Sequence, residues 1–243
     1  PGVNSLGLPY NVTDNPVAET AADAGYQRSI VNVINGKGEL VWSCLWVDGL
    51  KVRLASNYRY YGETNKNWRK DAAQYDWESD VAQYANKPQL YHRSGTGYSY
   101  TNQAFVEYSN TFGNHNISAL GGFEQYYEKG ESYDASRSSY DFSIDQMGVG
   151  PANDQLNGGS ESELGRAAWI GQVKYNYANK YYAEGSIRYD GSDYFAPGHR
   201  WGAFFSGALG WVITEEKFMK SLVEKNIFNS LKLRASYGQT GLD

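Results

Sequence analysis

Three histidines, one cysteine and the carboxylates are the side chains with which this chain could do metal, nucleophilic or acid–base work, and their spacing argues against each. His92, His115 and His199 lie far apart in loop or turn contexts. No Cys or carboxylate accompanies them at the short intervals that a tetrahedral metal site takes. Cys44 is the only cysteine, which excludes an intrachain disulfide and any Cys-based metal site. Asp190-Gly191-Ser192-Asp193 offers oxygens to Ca²⁺ but lacks the rest of a binding loop, and reads as a tight polar turn. Glycoside hydrolysis needs two acids flanking one bond, yet Glu184, Asp190, Asp141 and Asp145 do not stand out from the other acids. The sequence therefore predicts no enzyme, with no catalytic, metal or cofactor-binding residues and no cofactor. Recognition is what remains. Trp68, Trp77, Tyr133 and Tyr140, with Tyr75 and Tyr91, are candidate loop aromatics that could stack on apolar sugar faces, against the plainer alternative that they pack within loops.

The residues that could line a path sit on a more regular frame. From Gly165 to Ile213 the chain alternates. Trp169, Gly171, Val173, Tyr175 and Tyr177 are set against Gln172, Lys174 and Asn176. After a two-residue turn at Asn179-Lys180, Tyr181, Ala183, Gly185, Ile187 and Tyr189 are set against Tyr182, Glu184, Ser186, Arg188 and Asp190. Successive strand residues point to opposite faces, so this is a β-hairpin with one apolar and one polar face.

The apolar phase has aromatic rings near its ends and small or aliphatic residues between, as in a band against hydrocarbon with aromatic girdles. The reverse phase would aim Lys174 and Arg188 at lipid, at about 2–4 kcal/mol each near the midplane. Gln172, Lys174, Glu184, Arg188 and Arg234 are then candidates to face a lumen, to line a substrate path or to hold a plug. Periodicity alone leaves a second solution open: a water-soluble sandwich whose apolar face is core.

Composition agrees with β-structure. Of 243 residues, 22 are Tyr and 27 Gly, while Cys and Met together number three. Aromatic side chains suit pleated surfaces and Gly supplies turns. A net charge of −5 gives no basic footprint for nucleic acid. No apolar run is long enough for a transmembrane helix, but a transmembrane barrel alternates and keeps polar loops, so a mean hydropathy of −0.64 is blind to it.

Along the chain, residues 1–25 read as loop and Ile30 to Ile34 as the end of a first strand. Leu40 to Val47 is apolar in both phases before the Asp48-Gly49 turn, and Lys51 to Tyr61 alternates. Residues 62–96 read as a long polar loop. Within it Ala73, Trp77, Val81 and Tyr84 have helix-like spacing. Strands follow at about Tyr98 to Ser109 and His115 to Tyr127, then a second long loop over 128–164. Short turns thus alternate with long loops, the asymmetry of outer-membrane barrels. The connection from Thr214 to Asn229 breaks that pattern. Phe218, Met219, Leu222 and Val223 after Glu215 and Glu216 predict one or two helical turns there.

Ile187-Arg188-Tyr189-Asp190-Gly191-Ser192, His199-Arg200-Trp201-Gly202-Ala203-Phe204-Phe205-Ser206, Leu209-Gly210-Trp211, Glu216-x-Phe218 and the run from Leu231 to Gly241 occur in an order that resembles the barrel of SusC/RagA-type TonB-dependent outer-membrane transporters. Thr111 to Asn116 resembles that family too. The resemblance covers roughly residues 97–243 well and the earlier part loosely. It implies an all-β fold, with residues 1–243 a segment of about eight or nine strands from a larger antiparallel transmembrane β-barrel whose plug domain is not in this chain. It further implies a Gram-negative cell outer membrane, uptake of oligosaccharides or peptides, and as partners TonB, a SusD-like lipoprotein, the plug domain and outer-membrane lipid. A surface or secreted β-sandwich that binds glycan is the alternative of a different class.

Overall fold

In a computed structural model the described residues are 2–10, 15–21, 24–70, 73–78, 80–83 and 87–241. They form eight strands: β1 (Gly25–Ser43), β2 (Leu50–Arg69), β3 (Gln89–Phe112), β4 (His115–Arg137), β5 (Gln155–Tyr177), β6 (Tyr181–Ser192), β7 (Trp201–Val212) and β8 (Lys232–Gly238). Each pairs with its neighbour in sequence, giving one sheet of order β1 to β8. Helix is confined to α1 (Pro16–Glu19), α2 (Lys220–Glu224) and three short 3-10 turns.

Five expectations change. The first strand does not end over Ile30 to Ile34 but runs over Gly25–Ser43. The two long loops shrink to 70–88 and 138–154, because β2, β3, β4 and β5 continue through polar sequence. Residues 155–163 of β5 are exposed in both phases. Two wet faces need no alternation, and ladder pairing outweighs weak strand propensity there. The helix expected over 71–87 is absent from the described residues. Bridges from Tyr75 to Tyr10 and from Gln74 to Gln83 occupy that stretch instead, and Tyr84 lies outside the described residues. The β5–β6 turn is centred on Ala178 and Asn179, not on Asn179-Lys180: both have positive φ, and Tyr177 C=O accepts from Lys180 N–H at 2.9 Å. Residues 1–25 are also less loose than expected, since Asn15 caps α1 through Val17 N–H. The helical turns expected after Thr214 are present.

The chain divides into two compact units. One comprises Pro1–Ile34, Tyr60–Gly97 and Gly130–Ser162; the other comprises Asn35–Arg59, Tyr98–Lys129 and Glu163–Asp243. In the first, Trp68, Leu90 and Tyr140 form a buried cluster flanked by Tyr26 and Met147. The Trp68 and Tyr140 rings meet edge to face at 5.0 Å. Polar ties fix the 138–154 loop over this cluster. Asp145 accepts from the Tyr26 hydroxyl and from Lys66 Nζ at 2.8 Å, Asp141 pairs with Lys87 at 2.8 Å, and Arg137 donates to Gly150 C=O.

The second unit holds the hairpins in tight register. Lys174 lies opposite Glu184, Val173 opposite Gly185, and Ile187 opposite Phe205. Leu209 pairs with Ala235, and Trp211 with Leu233. Directly opposed residues share a face, so the register sorts the side chains. One face carries Trp169, Gly171, Val173, Tyr175 and Tyr177 on β5 and Tyr181, Ala183, Gly185, Ile187 and Tyr189 on β6. It continues with Trp201, Ala203, Phe205, Gly207, Leu209 and Trp211 on β7, and Leu233, Ala235 and Tyr237 on β8. That face bears no charge. Six of its nine rings gather in two rows: Trp169, Tyr189 and Trp201 at the loop end, and Tyr177, Tyr181 and Trp211 at the turn end. Within them Tyr189 stacks on Trp201 at 5.0 Å and Tyr177 on Tyr181 at 6.4 Å. Gly191 is obligatory beside the first row, because a Cβ there would meet the Trp201 ring at 2.7 Å. Gly49, with φ of 83°, lets the β1–β2 turn approach Ser109 C=O, where any Cβ would lie 1.9 Å away.

This apolar face is not a core. Leu209 is 66% exposed and Ile187 42% exposed, and all eight strands lie in one sheet. The sandwich alternative required Ile187 sealed beneath a second sheet, and fails on that point.

Candidate functional site

The polar face is assembled from the other phase of the same strands. Gln172 Nε2 donates to Glu184 Oε1 at 2.7 Å, and Lys174 Nζ lies 3.7 Å from the same oxygen. Arg188 grips Asp190 through Nε, at 3.3 Å to both carboxylate oxygens, and through Nη2 at 3.0 Å. Ser186 and Ser206 hydroxyls meet at 2.7 Å between these groups. Arg234 stands opposite Gly210, where the missing side chain leaves room, and Lys232 Nζ sits 4.1 Å from the Tyr182 ring centroid. Register thus brings Gln172, Lys174, Glu184, Arg188 and Arg234 to one face.

Two depressions open on that face. One, of about 500 Å³, is bordered by Lys174, Glu184, Tyr182, Lys232 and Arg234. The other, of about 730 Å³, is bordered by Glu124, Tyr126, Arg166, Arg188, Asp190 and Phe204 among others. Sequence reading missed Glu124, Tyr126 and Glu128, although their i, i+2, i+4 spacing on β4 is the same period-2 signal that selected Glu184 and Arg188. In the described depression Glu124 accepts from Gln103 Nε2 at 2.5 Å and Glu128 from the Tyr126 hydroxyl. Mutually compensated charge and hydroxyls on a concave wall can hold water or a polar solute by hydrogen bonding. Nothing in this arrangement pairs a nucleophile with a base.

The candidate aromatics separate into two sets. Trp68 and Tyr140 are 4% and 2% exposed and pack on each other, so neither ring is open to a ligand. Burial also pushes the Tyr140 hydroxyl up from its ordinary pKa. They are a core, which the 138–154 loop closes. Trp77 and Tyr133 are exposed, Trp77 with its ring edge-on to Tyr10 at 5.7 Å. Trp68 and Tyr133 belong to β2 and β4, not to loops.

The other side chains with chemical potential are engaged locally. The tight turn expected over Asp190–Asp193 is strand instead: Asp190, Gly191 and Ser192 end β6 in register with Ala168, Ala167 and Arg166, and beyond them Asp193 Oδ2 accepts from Gly165 N–H at 2.7 Å. His115 Nδ1 meets the Tyr175 hydroxyl at 2.7 Å. Cys44 is half-buried at the end of β1. No group of three His, Cys, Asp or Glu able to hold a metal occurs among the described residues.

No protein-family model matches the sequence. Among curated proteins it is similar to TonB-dependent receptor P39 of Formosa agariphila, 34% identical over 61% of this chain and 14% of that one. It is similar also to TonB-dependent receptor SusC of Bacteroides thetaiotaomicron, 29% identical over 69% of this chain and 15% of that one. Among solved structures it superposes on the RagAB peptide transporter with a TM-score of 0.74 and 20% identity, over 89% of this chain and 23% of that one. In sequence the chain is thus similar to TonB-dependent receptors that include SusC, and in fold to RagAB. The chain spans about one-seventh of the length of the curated relatives it matches. Its eight consecutive antiparallel strands correspond in fold to part of the RagAB β-barrel.

Proposed function

We propose that this segment forms part of the wall of an outer-membrane importer, with the uncharged face of β5–β8 against acyl tails and the polar face turned to the lumen. One observation carries the reading: over residues 166–177 of β5 and the whole of β6, β7 and β8, the register leaves every charge on a single face. Aimed at lipid, each Lys or Arg would cost about 2–4 kcal/mol near the midplane, and each Asp or Glu less. The lumen-facing set is Gln172, Lys174, Glu184, Arg188 and Arg234, extended by Glu124 and Tyr126. Trp77 and Tyr133 are the aromatics left open for cargo.

The cargo is a polar oligomer, an oligosaccharide ahead of a peptide. Support comes from the pairing of Lys174 with Glu184 and Arg188 with Asp190, which cancels these four charges and leaves hydrogen-bonding groups between them. Kinship supports the rest of the machine: a plug domain of the same full-length protein, a SusD-like lipoprotein and TonB. Localisation is then the outer membrane of a Gram-negative cell.

The test is a matched pair of substitutions in the full-length receptor, refolded into phospholipid vesicles and scored by heat-modifiable gel mobility. Ile187→Arg should impair insertion, while Ser186→Arg should fold normally and alter only passage. Equal folding yields would overturn the assignment of faces. Uptake of neutral oligosaccharides and of peptides by cells expressing the receptor separates the two cargo classes.

A further inference from the structure

The connection between β7 and β8, residues 213–231, is the long turn-end segment that a barrel wall does not require. It packs as a small unit: Ile213 N–H donates to Leu231 C=O at 2.8 Å and Leu231 N–H to Thr214 Oγ1 at 3.3 Å, closing its two ends. Met219 is buried within it. Its larger apolar residues, however, point away. Phe218 is 64% and Ile227 57% exposed, and Phe228 is exposed as well.

Glu216 decides on which side of the sheet this segment is held. Its carboxylate accepts from the Tyr181 hydroxyl and from Trp211 Nε1 at 3.2 Å, with Lys180 Nζ 3.6 Å away. Tyr181 and Trp211 both belong to the uncharged face, in its turn-end row of rings. The segment is therefore fastened to the outer face, not beneath the lumen. The outward phase of β8, Tyr237, Ala235 and Leu233, runs straight into Leu231, so the apolar stripe of the sheet continues into the connection. Lys217, Lys220, Glu224 and Lys225 are exposed beside it. Apolar rings next to a charged edge describe a segment that lies in a membrane interface rather than across it.

We infer that residues 213–231 are an in-plane foot of the receptor, clamped by Glu216 and seated in the phospholipid boundary at the turn end, with Phe218, Ile227 and Phe228 among the acyl chains. The inference rests on the membrane reading proposed above and adds to it a lipid contact outside the strands. An interfacial segment buries its apolar side about 5–10 Å into the boundary, which is within reach of a bimane label.

The experiment uses the full-length receptor, freed of native cysteines (Cys44→Ser in this segment), in phosphatidylcholine–phosphatidylglycerol vesicles with or without brominated acyl chains. Bimane is attached in turn at Ile187→Cys, Phe218→Cys, Phe228→Cys and Lys225→Cys. Quenching by bromolipid at positions 218 and 228 is expected to match that at 187 within about twofold and to exceed that at 225 by about fivefold. Adding Glu216→Gln should reduce quenching at 228 and leave 187 unchanged. Strong quenching at 187 with none at 218 and 228 overturns the foot while sparing the barrel wall. Labels at 218 and 228 shielded from both bromolipid and aqueous iodide would mean that protein covers the site, which also overturns it. Absence of quenching at 187 removes the membrane reading and this inference together.

Discussion

In the cluster of Trp68, Leu90 and Tyr140 the large rings are inside, whereas along β5–β8 they are outside. The first arrangement removes apolar area from water within the chain itself, and polar ties such as Lys66–Asp145 close its surface. The second leaves Val173, Phe205, Leu209 and Leu233 uncovered and keeps the ion pairs on the opposite face. A single chain thus follows two solvent rules. What separates them is the register, which fixes the phase of every side chain once one face must be dry.

The sharpest way to break this contrast is to attack each part in its own medium. Trp68→Ala should cost about 3–5 kcal/mol of local stability, read as faster amide exchange and proteolysis in the 138–154 loop, with the β5–β8 hairpins unaffected. Ile187→Arg should cost about 2–4 kcal/mol in bilayers and almost nothing in that loop, read from insertion yields at graded urea. On the wetted face, Lys174→Ala should change stability by no more than about 1 kcal/mol, since an exposed pair is screened. Its effect should appear instead in the passage of charged solutes. The smallest effect is one of pH. Lys66 Nζ, then the Tyr26 hydroxyl, hold the Asp145 carboxyl below its ordinary value of 3.8. A depressed carboxylate stabilises fully above that ordinary value and loses its contribution as pH falls below it and through the lowered folded-state value. Protection of the loop should therefore weaken by less than about 1 kcal/mol on acidification, and Asp145→Asn should remove that dependence.

Where the faces differ, the sequence was readable. Trp169 to Asp190 alternates because its two faces meet opposite demands, and Gln172, Lys174, Glu184 and Arg188 emerged from that phase alone. Residues 155–163 meet water on both sides, so Ser, Gly and Asn there resemble loop although they are strand. Trp68 and Tyr140 looked like ligand platforms because a ring in a polar stretch can be either platform or core. Only the 72-residue separation closed by folding, Trp68 against Tyr140, distinguishes them. The helix-like spacing over 73–84 failed because a short polar stretch of that kind has little apolar stripe to bury.

The two rows of rings carry one more consequence. Tyr181 and Tyr189 are eight residues apart on β6, which at about 3.4 Å per residue and a tilt near 40° sets a height of about 20 Å. Common bilayers have a hydrocarbon thickness nearer 30 Å. On the wall reading proposed above, the band suits a slim host, and short-chain lipids should accept it with less elastic deformation than long-chain ones.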